Sequence, residues 1–344
     1  MKAVVKYALK DGSTEVRDVP IPEIAKTDVL VEVASIGICG SDPHMHHNNV
    51  SYPVEVPLIL GHEFAGVIKK VGADVVGYQV GDRVTAETHA EYCGKCILCR
   101  TNNYHLCRER KGYGFGVDGA YAKYVKVAER ILHRVPANVS LREAALTEPL
   151  CVAYNVVVNK TGVKPGDTAV VIGPGPIGIL CTKMLNLVGA SEIIVIGTEG
   201  DDQRLKKAEE YGATAIINSS KEEALPLIKE KNEGYGADIV IDCAGPAATF
   251  KLAMAAVRPN GVINKVAWGP KPLDYSLDEL ITKAVTLHCS FSHTWDIWEK
   301  ALQLLKNKQV DLSGLITHEL GIEEWERGFE LVESKQGLKV LLKP

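Results

Sequence analysis

No apolar run in this chain approaches the roughly 20 residues that a membrane-spanning helix needs. Glycine, proline and charged residues interrupt every candidate, so a membrane-embedded reading is excluded. The N-terminus, Met1-Lys2-Ala3-Val4-Val5-Lys6-Tyr7, lacks an apolar targeting core and a small-residue cleavage site and goes directly into strand-like alternation. A cytoplasmic location is therefore expected, where thiols stay reduced and available to metal. A surplus of positive charge is also missing. With 39 Lys and Arg against 43 Asp and Glu, the formal net charge is -4, which argues against nucleic acid as a partner. Internal repeats, low-complexity tracts and a flexible linker are absent too. What remains is a chain of 344 residues, 46% hydrophobic and 24% charged, with the composition of a globular protein and enough length for two cores.

Two textures divide it. To about Val127 the residues read as short strands separated by glycine and proline turns, such as Val29-Leu30-Val31-Glu32-Val33 and Phe64-Ala65-Gly66-Val67-Ile68. After Pro165-Gly166-Asp167, buried-strand runs (168–172, 192–196, 215–217, 238–242, 261–263) alternate with expected helices at 201–212, 221–232 and 247–257. That alternation predicts an α/β fold with a doubly wound parallel sheet. An amphipathic helix from Trp295 to Asn307, a helix from Ile322 to Glu333 and a strand from Lys339 to Leu342 complete the chain, and this tail is expected to return to the first domain.

Four of the nine cysteines, Cys93, Cys96, Cys99 and Cys107, are spaced C-x2-C-x2-C-x7-C. Four thiolates can enclose one zinc tetrahedrally, and such a closed site leaves no position for substrate. A structural zinc is expected, with Gly94 permitting the tight turn and Lys95, Arg100, Arg108 and Arg110 offsetting the anionic centre. By itself this loop suits a zinc ribbon as well as an enzyme. Cys151, Cys181, Cys243 and Cys289 lie in apolar surroundings and read as inert core thiols.

Gly173-Pro174-Gly175-Pro176-Ile177-Gly178 is G-x-G-x-x-G placed between a buried strand and the start of a helix. In that context the first glycine makes the turn, the second admits a pyrophosphate, and the third allows close helix-strand packing. Glu199, at the end of the next strand, is placed to accept both ribose hydroxyls and to repel a 2′-phosphate. NAD is therefore expected over NADP, although Thr198, Gly200 and Arg204 offer groups that accommodate a phosphate.

A dispersed set of metal-ligand types is ambiguous residue by residue: Cys39 in Gly37-Ile38-Cys39-Gly40-Ser41-Asp42, then His62-Glu63, then Glu148-Pro149-Leu150. Together with Gly81-Asp82-Arg83-Val84, the four-cysteine loop and the glycine fingerprint, in this order, these segments make the whole chain resemble the zinc-dependent medium-chain dehydrogenase/reductase (alcohol dehydrogenase) superfamily. It is most similar to the polyol branch of sorbitol, butanediol and threonine dehydrogenases, which share the acids at the Glu63 and Glu148 positions.

The resemblance implies a β-rich GroES-like catalytic domain over 1–155, a Rossmann NAD-binding domain over 156–287 and a return to the catalytic domain over 288–344. It implies Cys39, His62 and Glu63 as ligands of a second, catalytic zinc. Glu148 is either a ligand or a hydrogen-bond partner of the metal's water. Ser41 and His44 match a proton relay, the alternative for Ser41 being a turn hydroxyl. His46 and His47 read as loop residues, Asp42 as a supporting acid, and Glu87 and His89 as weak candidates to line the substrate cleft.

The expected reaction is hydride transfer between a secondary alcohol or polyol and NAD. Rival readings are an L-threonine 3-dehydrogenase, for which no ammonium or carboxylate recognition is visible, and a non-enzymatic zinc protein, which predicts a basic face or damaged site positions. One departure bears on substrate: Ser290-Phe291-Ser292-His293 stands where polyol relatives often carry an arginine before the pair matching Thr294-Trp295, and this argues against simple sorbitol specificity. Arg110 and Lys111 are either contacts for a phosphorylated or acidic sugar or solvated surface charges. Small-molecule alcohol substrate, no nucleic acid, no membrane and a homotetramer are the expected partners.

Overall fold

The computed structural model describes residues 1–269 and 271–344. The chain divides into two compact units, Met1–Glu148 with His293–Pro344, and Pro149–Ser292. No helix among the described residues is long and apolar enough to cross a membrane.

The first unit is built on a seven-stranded sheet. Its order is Ile316–Gly321, Lys339–Lys343, Asp28–Gly37, Glu63–Val71, Arg83–Ala86, Leu132–Arg134, with Tyr124–Ala128 also paired on Asp28–Gly37. A three-stranded sheet of Thr14–Asp18, Lys2–Lys6 and Leu58–Ile59 packs into the same core. The ten-residue strand Asp28–Gly37 is long enough to carry three partners, and its inward positions Val29, Val31, Val33 and Ile36 are buried. The C-terminal strand enters this sheet antiparallel to it, pairing Leu341 with Gly37 and Leu342 with Ile36. The end of the chain is thereby held beside the Cys39 segment, because Ile38 N donates to Val340 O at 2.9 Å.

The second unit is a six-stranded parallel sheet in the order Ala215–Asn218, Glu192–Gly197, Thr168–Ile172, Ala237–Asp242, Val257–Lys265, Thr286–Cys289. Thr168–Ile172, at the point where strand order reverses, is buried at all five positions, as a central strand covered on both faces must be. The sequence missed the edge strand Thr286–Cys289. Its residues are only partly buried, and Cys289, read above as a core thiol, is exposed. The helix Thr147–Tyr154 passes into a π-helix over Asn155–Thr161, closed by Gly162 at φ 67°.

Candidate active site and cofactor loop

Cys39 lies in the short connection between the strand Asp28–Gly37 and the helix Ser41–His46, and His62 in the turn that opens the strand Glu63–Val71. Gly61 makes this turn possible. It sits at φ 91°, and a Cβ there would collide with the ring of Tyr121. That ring is held in turn, since its hydroxyl donates to Asp42 Oδ2 at 2.7 Å. Asp42, 1% exposed, also accepts from Cys39 N at 2.9 Å and places Oδ1 3.8 Å from His62 Nδ1. One buried carboxylate therefore sets the orientation of both Cys39 and His62.

Ligand atoms of Cys39, His62 and Glu63 all lie within 4.8 Å of one another. Burial opposes a charge on His62, yet Cys39, Asp42 and Glu148 together hold its pKa up to about 10. This nest attracts a cation, and one sulfur, one nitrogen and one oxygen donor are zinc's preferred types, with a fourth position left open. The donor set therefore fits the metal.

The two carboxylates beside this group differ. Glu63 and Lys339 form a buried ion pair in which Nζ reaches both carboxylate oxygens, one at 2.6 Å, and also donates to Ile38 O at 3.1 Å. Burial alone would lower the pKa of Lys339, but the Glu63 carboxylate against it raises it above the ordinary lysine value. Glu148, 9% exposed, instead accepts from His293 Nε2 at 3.0 Å. Burial favours its neutral form, and the hydrogen bond from His293 with nearby His62 and Lys339 more than offsets this, holding its carboxyl below the usual range.

Ser41 is half-buried and His44 exposed, one turn apart on the helix Ser41–His46. The Ser41 hydroxyl interacts with the phenol of Tyr52, which burial keeps protonated well above the usual tyrosine range. His46 is not a loop residue: it belongs to this helix and packs edge-on against Trp325 at 5.3 Å. His47 pairs with Asp11 at 2.7 Å and Glu333 at 3.2 Å.

Glu87, His89 and His293 form another buried group whose ligand atoms lie within 4.8 Å. Here Arg110 is half-buried rather than a solvated surface charge. It donates to His89 Nδ1 at 2.7 Å and lies 5.1 Å over the Phe115 ring. Lys111 is the partly exposed one, paired with Glu55 at 3.0 Å.

The four cysteines come together as their spacing predicts. Their sulfurs lie 3.5 Å (Cys96–Cys99), 3.6 Å (Cys107–Cys93), 3.8 Å (Cys93–Cys99) and 3.9 Å (Cys96–Cys107) apart. Tetrahedral zinc with bonds of about 2.3 Å requires sulfurs about 3.8 Å apart. A disulfide needs about 2.0 Å, and all nine cysteines are free. Amides of Lys95 and Cys96 aimed at Cys93 lower its thiol to about 6, which favours the thiolate that binds metal.

In the second unit, Gly173 at φ 98° turns the chain from the strand Thr168–Ile172 towards the helix Pro176–Val188. A Cβ on Gly178 would strike the Gly173 carbonyl, whereas one on Gly175 would meet nothing within 4 Å. The loop is thus crowded behind Gly178 and open in front of Gly175. Pro176 and Ile177 begin the helix, whose amino end has no side-chain cap, an arrangement in which helix amides can bind an anion. Glu199 is exposed just past the strand Glu192–Gly197, with its amide donating to Ser220 Oγ at 2.9 Å. Arg204 Nη1 lies 4.0 Å from Asp201 Oδ1.

Sequence reasoning did not find Lys339, His293, Trp298 or Tyr52. Lys339 carried a signal, as the lone charge at the head of the apolar run Val340-Leu341-Leu342. The other three carried none.

Residues 25–137 match the alcohol dehydrogenase GroES-like domain and residues 176–307 the zinc-binding dehydrogenase family. A sorbitol dehydrogenase of Halalkalibacterium halodurans is 39% identical over 345 residues, covering 100% of this chain and 99% of that protein. A D-arabitol-phosphate dehydrogenase of Enterococcus avium is 33% identical, covering 99% and 97%. The crystal structure of a zinc-binding dehydrogenase from Sinorhizobium meliloti bound to NADP superposes with a TM-score of 0.92 at 28% identity, covering 100% and 99%.

Proposed function

The chain belongs to the zinc-binding alcohol dehydrogenase family, and from that premise we propose that it oxidises a secondary hydroxyl of a polyol, sugar phosphate or vicinal diol with NAD. The observation that carries this reading is the Cys39, His62, Glu63 group, with its sulfur, nitrogen and oxygen donors. Bound zinc supplies Lewis acidity that makes an alcohol O–H acidic, and NAD supplies the hydride acceptor.

The protein's own residues do the rest. Cys39, His62 and Glu63 hold the metal, Asp42 orients the first two, and Glu148 either adds a ligand or bonds the metal's water. Ser41 takes the hydroxyl proton, with Tyr52 beside it, and exposed His44 delivers it to solvent. Glu199, exposed just past the strand Glu192–Gly197 where a carboxylate can accept ribose hydroxyls, supports NAD over NADP. Cys93, Cys96, Cys99 and Cys107 hold a second zinc that braces their loop. Exposed Ile97 and Leu106 on that loop support a subunit contact, and with the family resemblance a cytoplasmic homotetramer.

The test is a screen of polyols, sugar phosphates, diols and L-threonine, following NADH absorbance with NAD and NADP in parallel. Turnover on a polyol or diol with NAD is expected. Turnover on L-threonine alone would select the amino-acid dehydrogenase instead, and no turnover on any alcohol with both zinc sites loaded would sink the enzyme reading.

A further inference from the structure

Resting on the reading of Glu148 as part of the zinc centre, we propose that His293 is the positioning residue for its carboxylate, locked into one neutral tautomer by Trp298. The indole sets the first constraint. Trp298 Nε1 is only a donor, and it lies 2.8 Å from His293 Nδ1. Nδ1 therefore accepts and carries no hydrogen. The single ring hydrogen sits on Nε2, 3.0 Å from Glu148 Oε1, and is donated to it. His293 and Trp298 are 0% and 1% exposed, so water does not replace either bond. Protonating Nδ1 would set two N–H groups against each other.

A second chain of bonds fixes the backbone of the same residue. Arg110 Nε donates to His89 Nδ1 at 2.7 Å, which leaves the His89 hydrogen on Nε2. Nε2 donates to the His293 carbonyl oxygen at 2.9 Å. Two directional paths therefore meet at residue 293, one through its ring and one through its peptide. They also settle the chemistry of the Glu87, His89, His293 group. Both nitrogens of each ring already have a partner, and the Arg110 cation against His89 opposes a dication. The group is a scaffold for Glu148 rather than a further metal site.

The consequence for the zinc centre is a division between its acids. Lys339 spends the charge of Glu63 in an ion pair, whereas a neutral imidazole fixes Glu148 without neutralising it. Glu148 thus presents a fixed oxygen with its full negative charge, and a ligand held by such an outer partner binds metal more tightly.

The test uses the zinc-loaded full-length protein. Long-range 1H–15N correlation with 15N-labelled histidine should show His293 as the Nε2–H tautomer, its signal assigned by absence in His293→Gln. Competition with a chelator should show the zinc of the Cys39 site bound about 10–100-fold more weakly in His293→Phe, with the four-cysteine zinc retained. His293→Gln, which keeps a side-chain N–H for Glu148, should recover part of that affinity. Trp298→Phe keeps an aromatic ring but removes the indole donor, so His293 should lose its single-tautomer pattern and zinc should again bind more weakly. An Nδ1–H or doubly protonated His293 in the native protein would overturn the proposal, as would unchanged zinc affinity in both phenylalanine variants. Should His293→Phe not fold, the native spectrum and Trp298→Phe decide. Neither readout needs a substrate, so an empty substrate screen would count against the dehydrogenase reading alone.

Discussion

Lys339 depends for its place in the core on Glu63. The lysine is 2% exposed and the glutamate 1%, so each charge is tolerable only beside the other. Removing the ammonium leaves a buried carboxylate without compensation, which costs about 3–5 kcal/mol. Lys339→Met should show that loss in urea denaturation, and adding Glu63→Gln should cost less than the sum of the two single changes, because the second removes the charge the first stranded. A loss below about 1 kcal/mol would mean that the pair is not ionised in the folded protein. The same pair shows what can be read from a sequence at this scale. Cys39 and His62 could be picked out as candidate ligands because their residue types and short flanking motifs, taken together, are those of a metal site. Lys339 meets Glu63 across 276 positions, and His293 meets Glu148 across 145. A buried lysine or a tautomer-locked histidine is defined by that distant partner and by nothing next to it in the chain.

Among elements, the glycine loop separates folding from binding most cleanly. A Cβ on Gly178 would collide with the Gly173 carbonyl, so Gly178→Ala must move the helix Pro176–Val188 off the strand Thr168–Ile172. Overpacking of this kind costs about 1–3 kcal/mol, and thermal unfolding should register it without cofactor. Gly175 has an ordinary φ of -71° and open space before it. Gly175→Ala should therefore stay within about 0.5 kcal/mol of the native stability while weakening NAD binding measured by fluorescence titration. Equal stability losses in the two variants would contradict this division. The loop was fully legible because a glycine pattern between a buried apolar run and a helix start is local. So was the alternation of strands and helices in the second unit, where burial on both faces writes continuous apolar runs. The edge strand Thr286–Cys289 and the π-helix Asn155–Thr161 were not. An edge strand buries too little to need an apolar run, and a wider helical turn follows from packing rather than from a residue pattern.

At the scale of the whole molecule, the four-cysteine loop and the Cys39 group belong to one compact unit and the glycine loop to the other. A metal held by these four cysteines would close the 15 residues from Cys93 to Cys107 on themselves. A cross-link over that length removes about 3 kcal/mol of chain entropy from the unfolded state, and a metal clip acts in the same sense. Four ligands also fill zinc's coordination, so nothing at this site can touch an alcohol. Cys96→Ser should consequently lower metal content from two zinc ions per chain to one and destabilise the protein by about that amount. The loop should become the first point of limited proteolysis, and the oligomer should weaken if Ile97 and Leu106 pack between subunits. The KM values for NAD and alcohol should stay within about twofold of native, because binding energy for either ligand comes from residues this loop does not supply. A large fall in kcat with stability and assembly unchanged would reverse the assignment, making this metal a participant in the reaction instead of a brace for the chain around it.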